Sequence, residues 1–235
     1  MRFLRLADDR VAGQPQPARP TLAGTQFADV VLDEVVGIGR RCIAFSARRH
    51  DQALVLKSYH RRAVARHADR AGGSLARYEC ERNEALHRIP GLAPYVAAPV
   101  GYWSSPLEDF FVQQRVCGDT LGSFLRGCSA RNRERFLSEL RTILDRANDA
   151  GLYDLDLHPG NLLVQRQADG SGRPILFDFN KVPYHQQPPN RLCRWLVAMG
   201  LIGPRSRDRR LWRRLARLPA DENVGNPAAA CQRVG

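Results

Sequence analysis

Asp154-Leu-Asp156-Leu-His158-Pro-Gly-Asn161-Leu-Leu-Val164 is the stretch on which the fold and chemistry of this chain turn. An acid followed five residues later by Asn, with Pro159 stiffening the loop and an apolar strand after it, sets a base and a metal ligand on one rigid turn. Downstream, Ile175-Leu-Phe-Asp178-Phe-Asn180 ends a second apolar strand in another acid. Moving a phosphoryl group from ATP asks little covalent work of a protein. It needs cations over the phosphates, oxygens to hold magnesium and a base at the attacking hydroxyl. Asp156 is the candidate base, and Asn161 and Asp178 are the candidate Mg2+ ligands.

Working outward, the N-terminal half reads as strand, glycine turn, strand, polar turn, strand. Val30 to Val36 lead into Gly37-Ile-Gly39, where backbone amides can approach phosphates that a side chain would block. Cys42 to Phe45 follow, and Ala53-Leu-Val-Leu56 ends in Lys57, placed to reach back under the glycine turn. Such a lysine needs a carboxylate from the helical stretch Arg61 to Ile89, which Gly72-Gly73 interrupts; Glu79, Glu81 and Glu84 compete. Glu79 shares a face with Leu75 and Leu86, and Glu81 one with Tyr78, Ala85 and Ile89, so periodicity leaves Glu79 and Glu81 both open. Val96 to Trp103 and Phe110 to Val116 are further strands. A helix from Arg133 to Ala150 is capped by Ser129 or Asn132 and closed by Gly151. Arg191 to Leu201 and Ser206 to Leu218 are candidate helices.

Asp154-Leu-Asp156 to Asn161 resembles the catalytic loop of protein kinases, and more closely the His-Gly-Asp-Leu-His-Pro-Gly-Asn form of aminoglycoside and lipopolysaccharide-core kinases. Asp178-Phe-Asn180 resembles Asp-Phe-Gly with the glycine replaced. With Gly37-Ile-Gly39-Arg-Arg-Cys42, Leu56-Lys57-Ser-Tyr-His60 and Arg210-Leu-Trp212-Arg-Arg, residues 27 to 218 are similar to the PhoP-regulatory-network kinase-like family, related to lipopolysaccharide kinases. The resemblance implies an α+β, two-lobed protein-kinase-like fold with an antiparallel N-lobe sheet and a reduced, mainly helical C-lobe. It also implies ATP and Mg2+ as cofactors, Lys57 on the ATP phosphates, Asp156 as base, Asn161 and Asp178 on Mg2+, and adenine contacts from the backbone near Gln114 and Val116. Cys42 stands at the loop's third glycine position and Asp154 at that of the usual histidine.

The expected organisation is a loose arm over 1–25, an N-lobe over 26–116, a C-lobe over 117–218 and a frayed tail over 219–235. No run of about 18 apolar residues and no signal peptide occurs, so a cytoplasmic protein is expected. Six cysteines lack any Cys-x-x-Cys spacing and read as reduced thiols. His158 and His60 lack partners at metal-ligand spacing, so His158 is read as a cleft residue near phosphate.

Only two of the 36 basic residues are lysines, Lys57 and Lys181. Lysine is a compact charge on a flexible stem, and a chain that otherwise writes arginine is constrained where it does not. Nine arginines against Asp208 crowd residues 190–218, with Leu211, Trp212, Leu215 and Leu218 on one side of the second helix. That pattern suits a solvated amphipathic helix, or attachment to an anionic membrane at its inner face. Nucleic acid is not an expected partner, because neither interleaved aromatics nor a binding motif accompanies the charge. No Ala-Pro-Glu segment follows Asp178, and the remaining length is too short for a peptide-docking subdomain. The expected acceptor is therefore a hydroxyl on a small or lipid-linked molecule, such as a lipopolysaccharide core sugar. The alternative is a catalytically impaired nucleotide-binding regulatory module, for which Cys42, Asp154 and Asn180 speak.

Overall fold

Aliphatic and aromatic runs broken by two tight turns pair as a meander: β1 (Val31–Ile38), β2 (Cys42–Arg49) and β3 (Gln52–Tyr59). The second turn is two residues long, with Arg49 facing Gln52, and His50 takes the left-handed conformation that such a hairpin requires, φ 51°. This is a computed structural model, and it describes residues 27–67 and 73–217. The arm expected over 1–25 and the tail expected over 219–235 lie outside the described residues.

Helices α1 (Arg61–His67) and α2 (Leu75–Arg88) follow, then β4 (Pro99–Ser104) and β5 (Asp109–Gln114), which complete an antiparallel sheet in the order β1-β2-β3-β5-β4. Its core is Leu32, Ala47, Leu54, Leu56, Phe110 and Val112, packed with Phe27 and Val30.

The roll of α2 is fixed from its first turn. Buried Asp109, at the start of β5, accepts the Ser74 hydroxyl at 2.6 Å and the Leu75 and Ala76 N–H groups at 2.9 and 3.2 Å, while Ser74 accepts the Arg77 N–H. These bonds satisfy donors that a helix start leaves orphaned, and the acid complements the positive end of the helix dipole. With the start anchored, Glu79 and Leu86 turn inward.

The chain then enters a second lobe: β6 (Asp119–Thr120), α3 (Leu121–Gly127), α4 (Ala130–Asp149), β7 (Leu162–Arg166), β8 (Gly172–Leu176), α5 (Arg191–Ala198) and α6 (Ser206–Ala216). Strands β6, β7 and β8 form a small antiparallel sheet. At the crossing, a Cβ on Gly118 would lie 2.9 Å from the Val164 carbonyl oxygen, so only glycine lets the connection pass so close to β7. Helix α4 starts at Ala130 rather than at Arg133, because Ser129 and not Asn132 accepts the capping N–H, and it closes at Gly151 with φ 80°. Its face of Phe136, Leu140, Ile143, Leu144 and Ala147 recurs at three- and four-residue steps and fills the C-lobe core.

Helix α6 follows the first of its two expected readings, an amphipathic helix with most of its arginines outward. Its apolar side packs inward: Leu215 is buried, Leu211 and Trp212 pack on the C-lobe core, and the Trp212 Nε1–H donates to the Leu137 carbonyl at 3.4 Å, while Leu218 lies outside the described residues. The reason is size, since a three-stranded sheet with α3 and α4 leaves α4 uncovered unless α6 closes over it. The exposed apolar stripe belongs instead to α5, where no residue is buried and Leu192, Trp195 and Met199 are 64, 55 and 59% exposed. No helix among the described residues is long and apolar enough to cross a membrane.

Candidate active site

Lys57 stands in the middle of the sheet, on β3, with Ala44 opposite it on β2 and Phe111 on β5. Its ammonium donates to Glu79 Oε1 at 2.6 Å, and Glu79 Oε2 accepts the Tyr59 hydroxyl. Across the cleft the same ammonium donates to Asp178 Oδ1 at 2.9 Å. Burial opposes its charge, but the Asp178 and Glu79 carboxylates outweigh burial and hold it above the ordinary lysine range. Burial pushes Glu79 upward against the pull of Lys57, and lifts Tyr59 well above its usual value. Glu81 is not part of this site. It lies on the outer face of α2, paired with Arg77 at 3.2 Å, because the anchored roll of the helix turns it to solvent. Glu84 likewise pairs outward, with Arg88 at 2.8 Å.

The cleft between the lobes has a volume of about 540 Å3. Gly37, Gly39, Cys42 and Lys57 line it from the N-lobe, Val116 from the crossing, and Asn161 and Asp178 from the C-lobe. The Gly39 N–H donates to the Cys42 carbonyl at 2.9 Å, which folds the glycine turn back on itself. Burial drives the Cys42 thiol up to about 12, so it is an inert wall at the third glycine position. Two expected contacts move. Gln114 does not line the cleft: it closes β5 opposite Leu54, its N–H is committed to the Ala98 carbonyl at 2.8 Å, and Gln113, Arg115 and Val116 form the lining instead. His158 is exposed and outside the lining; its Nδ1 accepts the Gly160 N–H at 3.1 Å, capping the short 3-10 turn Pro159–Asn161 rather than facing phosphate.

Asp154, Asp156 and Asp178 all sit at positive φ, 55°, 52° and 71°. Each left-handed non-glycine residue costs about 1–2 kcal/mol, so the surrounding bonds must hold them. They do so through contacts that the sequence did not reveal. Buried Asp208 of α6 accepts the N–H groups of Asp154 and Leu155 at 2.8 and 3.0 Å, Asp154 Oδ2 accepts the Tyr184 N–H at 2.8 Å, and Asn161 donates to the Asp156 carbonyl at 3.1 Å and to its Oδ2 at 3.3 Å. Asp154 therefore braces the loop from the usual histidine position. Asp156 Oδ1 accepts from Lys181 and, at 3.1 Å, from Arg207. Arg41, on the glycine turn, donates to the Asn180 side chain at 2.6 Å and to its carbonyl at 3.2 Å, and the Asn180 amide donates to Asp178 Oδ1. Asn180 thus ties the turn to the candidate metal ligand, which glycine could not do.

Strand, turn, strand, lysine, helix glutamate, crossing, the 154–161 loop and terminal acid follow one another around a single cleft. This is a protein-kinase-like fold. No protein-family model and no curated protein matches the chain. Among solved structures it is similar to the crystal structure of Rad53 1–466 in complex with AMP-PNP, at 20% sequence identity and a TM-score of 0.48 over 65% of this chain. The chain spans 38% of the length of that one.

The donor set fits a magnesium ion held jointly with a nucleotide. Asp178 Oδ2 and the Asn161 side-chain oxygen carry no hydrogen bond among the described residues, and the Asn161 amide nitrogen is already committed to Asp156. No group of three His, Cys, Asp or Glu side chains suited to a metal occurs among the described residues, so a cation here would complete its shell with phosphate and water oxygens.

Asp208 gives a pH-dependent prediction. Burial and the Asp154 charge push its carboxyl from 3.8 to about 6. The folded state therefore holds a proton that the unfolded chain has released, so this contribution is full below pH 3.8 and is lost as pH rises through about 6. The stability difference between wild type and Asp208→Asn, from urea denaturation, should fall by up to about 3 kcal/mol across that window. A flat difference would mean that the acid is not buried against the loop.

Proposed function

We propose that the chain is a Mg2+- and ATP-dependent phosphotransferase acting on a hydroxyl of a small or lipid-linked acceptor, a member of the PhoP-regulatory-network kinase-like group with a lipopolysaccharide core sugar as the leading acceptor class. The observation that carries this is the Lys57 junction, one ammonium bonded to Glu79 at 2.6 Å and to Asp178 at 2.9 Å beneath a glycine turn. A buried cation shared by two acids from different lobes is costly, and phosphate binding gives it a purpose. ATP, when bound, supplies the transferable phosphoryl group and Mg2+ shields its charge. Gly37 and Gly39 offer close backbone approach, Lys57 a point charge, Asn161 and Asp178 oxygens for the cation, and Asp156 accepts or orients the hydroxyl proton. The test is Mg2+-dependent nucleotide binding followed by an untargeted mass-spectrometric screen for phosphorylated sugars and lipids. Normal binding with no transfer to any such acceptor would sink the proposal.

The lipid-linked form is favoured by α5, whose exposed Leu192, Trp195 and Met199 stand at i, i+3 and i+7 beside exposed Arg191 and Arg194. In this reading the protein works at the inner face of an anionic membrane. The full chain should co-sediment with vesicles containing phosphatidylglycerol and not with phosphatidylcholine alone. Trp195→Ser should weaken the partition roughly tenfold, and equal binding to both vesicle types would count against it.

A second reading, an impaired nucleotide-binding regulatory module, is supported by the two cations on Asp156 and by Cys42 at the third glycine position. The Asp156 substitution discussed below separates the two.

A further inference from the structure

Resting on the phosphotransferase reading, we propose that the cavity sharing Lys181 with Asp156 seats a negative group of the acceptor, so that the acceptor is a hydroxyl compound already carrying a phosphate or a carboxylate. This cavity is distinct from the nucleotide cleft. It has a volume of about 170 Å3 and is lined by Arg41, Lys181, Tyr184 and Gln187 together with Leu75, Asn180, Val182 and Pro189. Two cations and no acid line it, so its walls favour an anion.

Both cations can give donors to a ligand. Arg41 engages Asn180 through Nη1 alone, which leaves its other guanidinium nitrogens uncommitted among the described residues. Lys181 is 30% exposed and has three protons, one directed at Asp156. The neighbouring Arg207 is differently placed. Its guanidinium stacks over the Tyr184 ring at 4.6 Å and bonds Asp156 at 3.1 Å, so it stays with the acid as Lys181 swings away. This accounts for the second lysine in a chain of arginines: a compact charge on a flexible stem can swing between Asp156 and an incoming anion. The cavity also has a neutral anchor. Gln187 Oε1 is buried without a hydrogen-bond partner, an orphan acceptor suited to a second hydroxyl of the ligand.

An anionic acceptor held here would have its charge on Lys181 and Arg41 and its reacting hydroxyl near Asp156, to which Lys181 is bonded. The cations would also offset repulsion between that anion and the ATP phosphates.

The test titrates the full chain by calorimetry, at constant ionic strength, with glycerol 3-phosphate, glycerate and glycerol, and titrates MgATP separately. Glycerol 3-phosphate or glycerate should bind wild type, and the stronger of the two identifies the anion; glycerol should not bind. Lys181→Gln should weaken the bound anion about tenfold or more with MgATP binding unchanged. Gln187→Leu should weaken glycerol 3-phosphate while sparing inorganic phosphate. Equal affinity in wild type and Lys181→Gln, or preference for glycerol, would overturn the anion site while MgATP binding upholds the nucleotide reading. Lys181-dependent anion binding without MgATP binding would overturn the nucleotide reading and leave the anion site standing.

Discussion

Lys57→Met should destabilise the protein by about 3–5 kcal/mol, because it strips the cation from an acid with no access to water. Glu79 has 0% exposure, and after the substitution its remaining donor is the Tyr59 hydroxyl. Asp178 is 29% exposed as a side chain and can turn to solvent, so the penalty falls mainly on Glu79. Adding Glu79→Gln removes the stranded charge, and the double variant should be more stable than Lys57→Met alone. Urea denaturation of the four proteins gives the coupling; additive effects would show that the two groups do not meet in solution. Nucleotide affinity should behave differently, staying low in the double variant because repair of the fold does not return the ammonium to the phosphates.

Asp156→Asn should lower the turnover number about 10²–10⁴-fold, the usual contribution of a positioned base. ATP affinity should hardly change, since Asp156 is not among the cleft-lining residues. The thermal midpoint monitors whether Lys181 and Arg207 tolerate loss of their shared acid. If wild type shows no phosphoryl transfer beyond Asp156→Asn while both bind MgATP, the impaired-module reading prevails.

The N-lobe was legible because short apolar runs separated by a glycine turn and a polar turn leave few alternatives, and the glycine turn, Lys57 and the 154–161 loop each carry local signals. The choice between Glu79 and Glu81 was not legible. It depends on the roll of α2, which Asp109 sets from a strand thirty-odd residues away. The choice between the two readings of α6 was not legible for a related reason: periodicity shows that a helix has an apolar side, not what covers it. Lys181 and Asp208 had left traces. One is the second of two lysines, the other the single acid among nine arginines over residues 190–218. Counting net charge subtracts such an acid, whereas asking why it survives would have led to the loop it holds. Asn180 departs from the Asp-Phe-Gly pattern in sequence, and only the fold brings its partner Arg41 beside it.

The bonds from Asp208 to Asp154 and Leu155 span 54 and 53 residues, so the last described helix completes a loop made much earlier. During synthesis Lys57, both candidate cation ligands and the candidate base all leave the ribosome before that acid does. A nascent chain thus carries its candidate reactive groups without a frame, and on the phosphotransferase reading activity is expected to await the docking of α6. A protease that clipped only this helix would strip that frame while leaving Lys57, Asn161 and Asp178, the candidate phosphate and cation groups, in the chain.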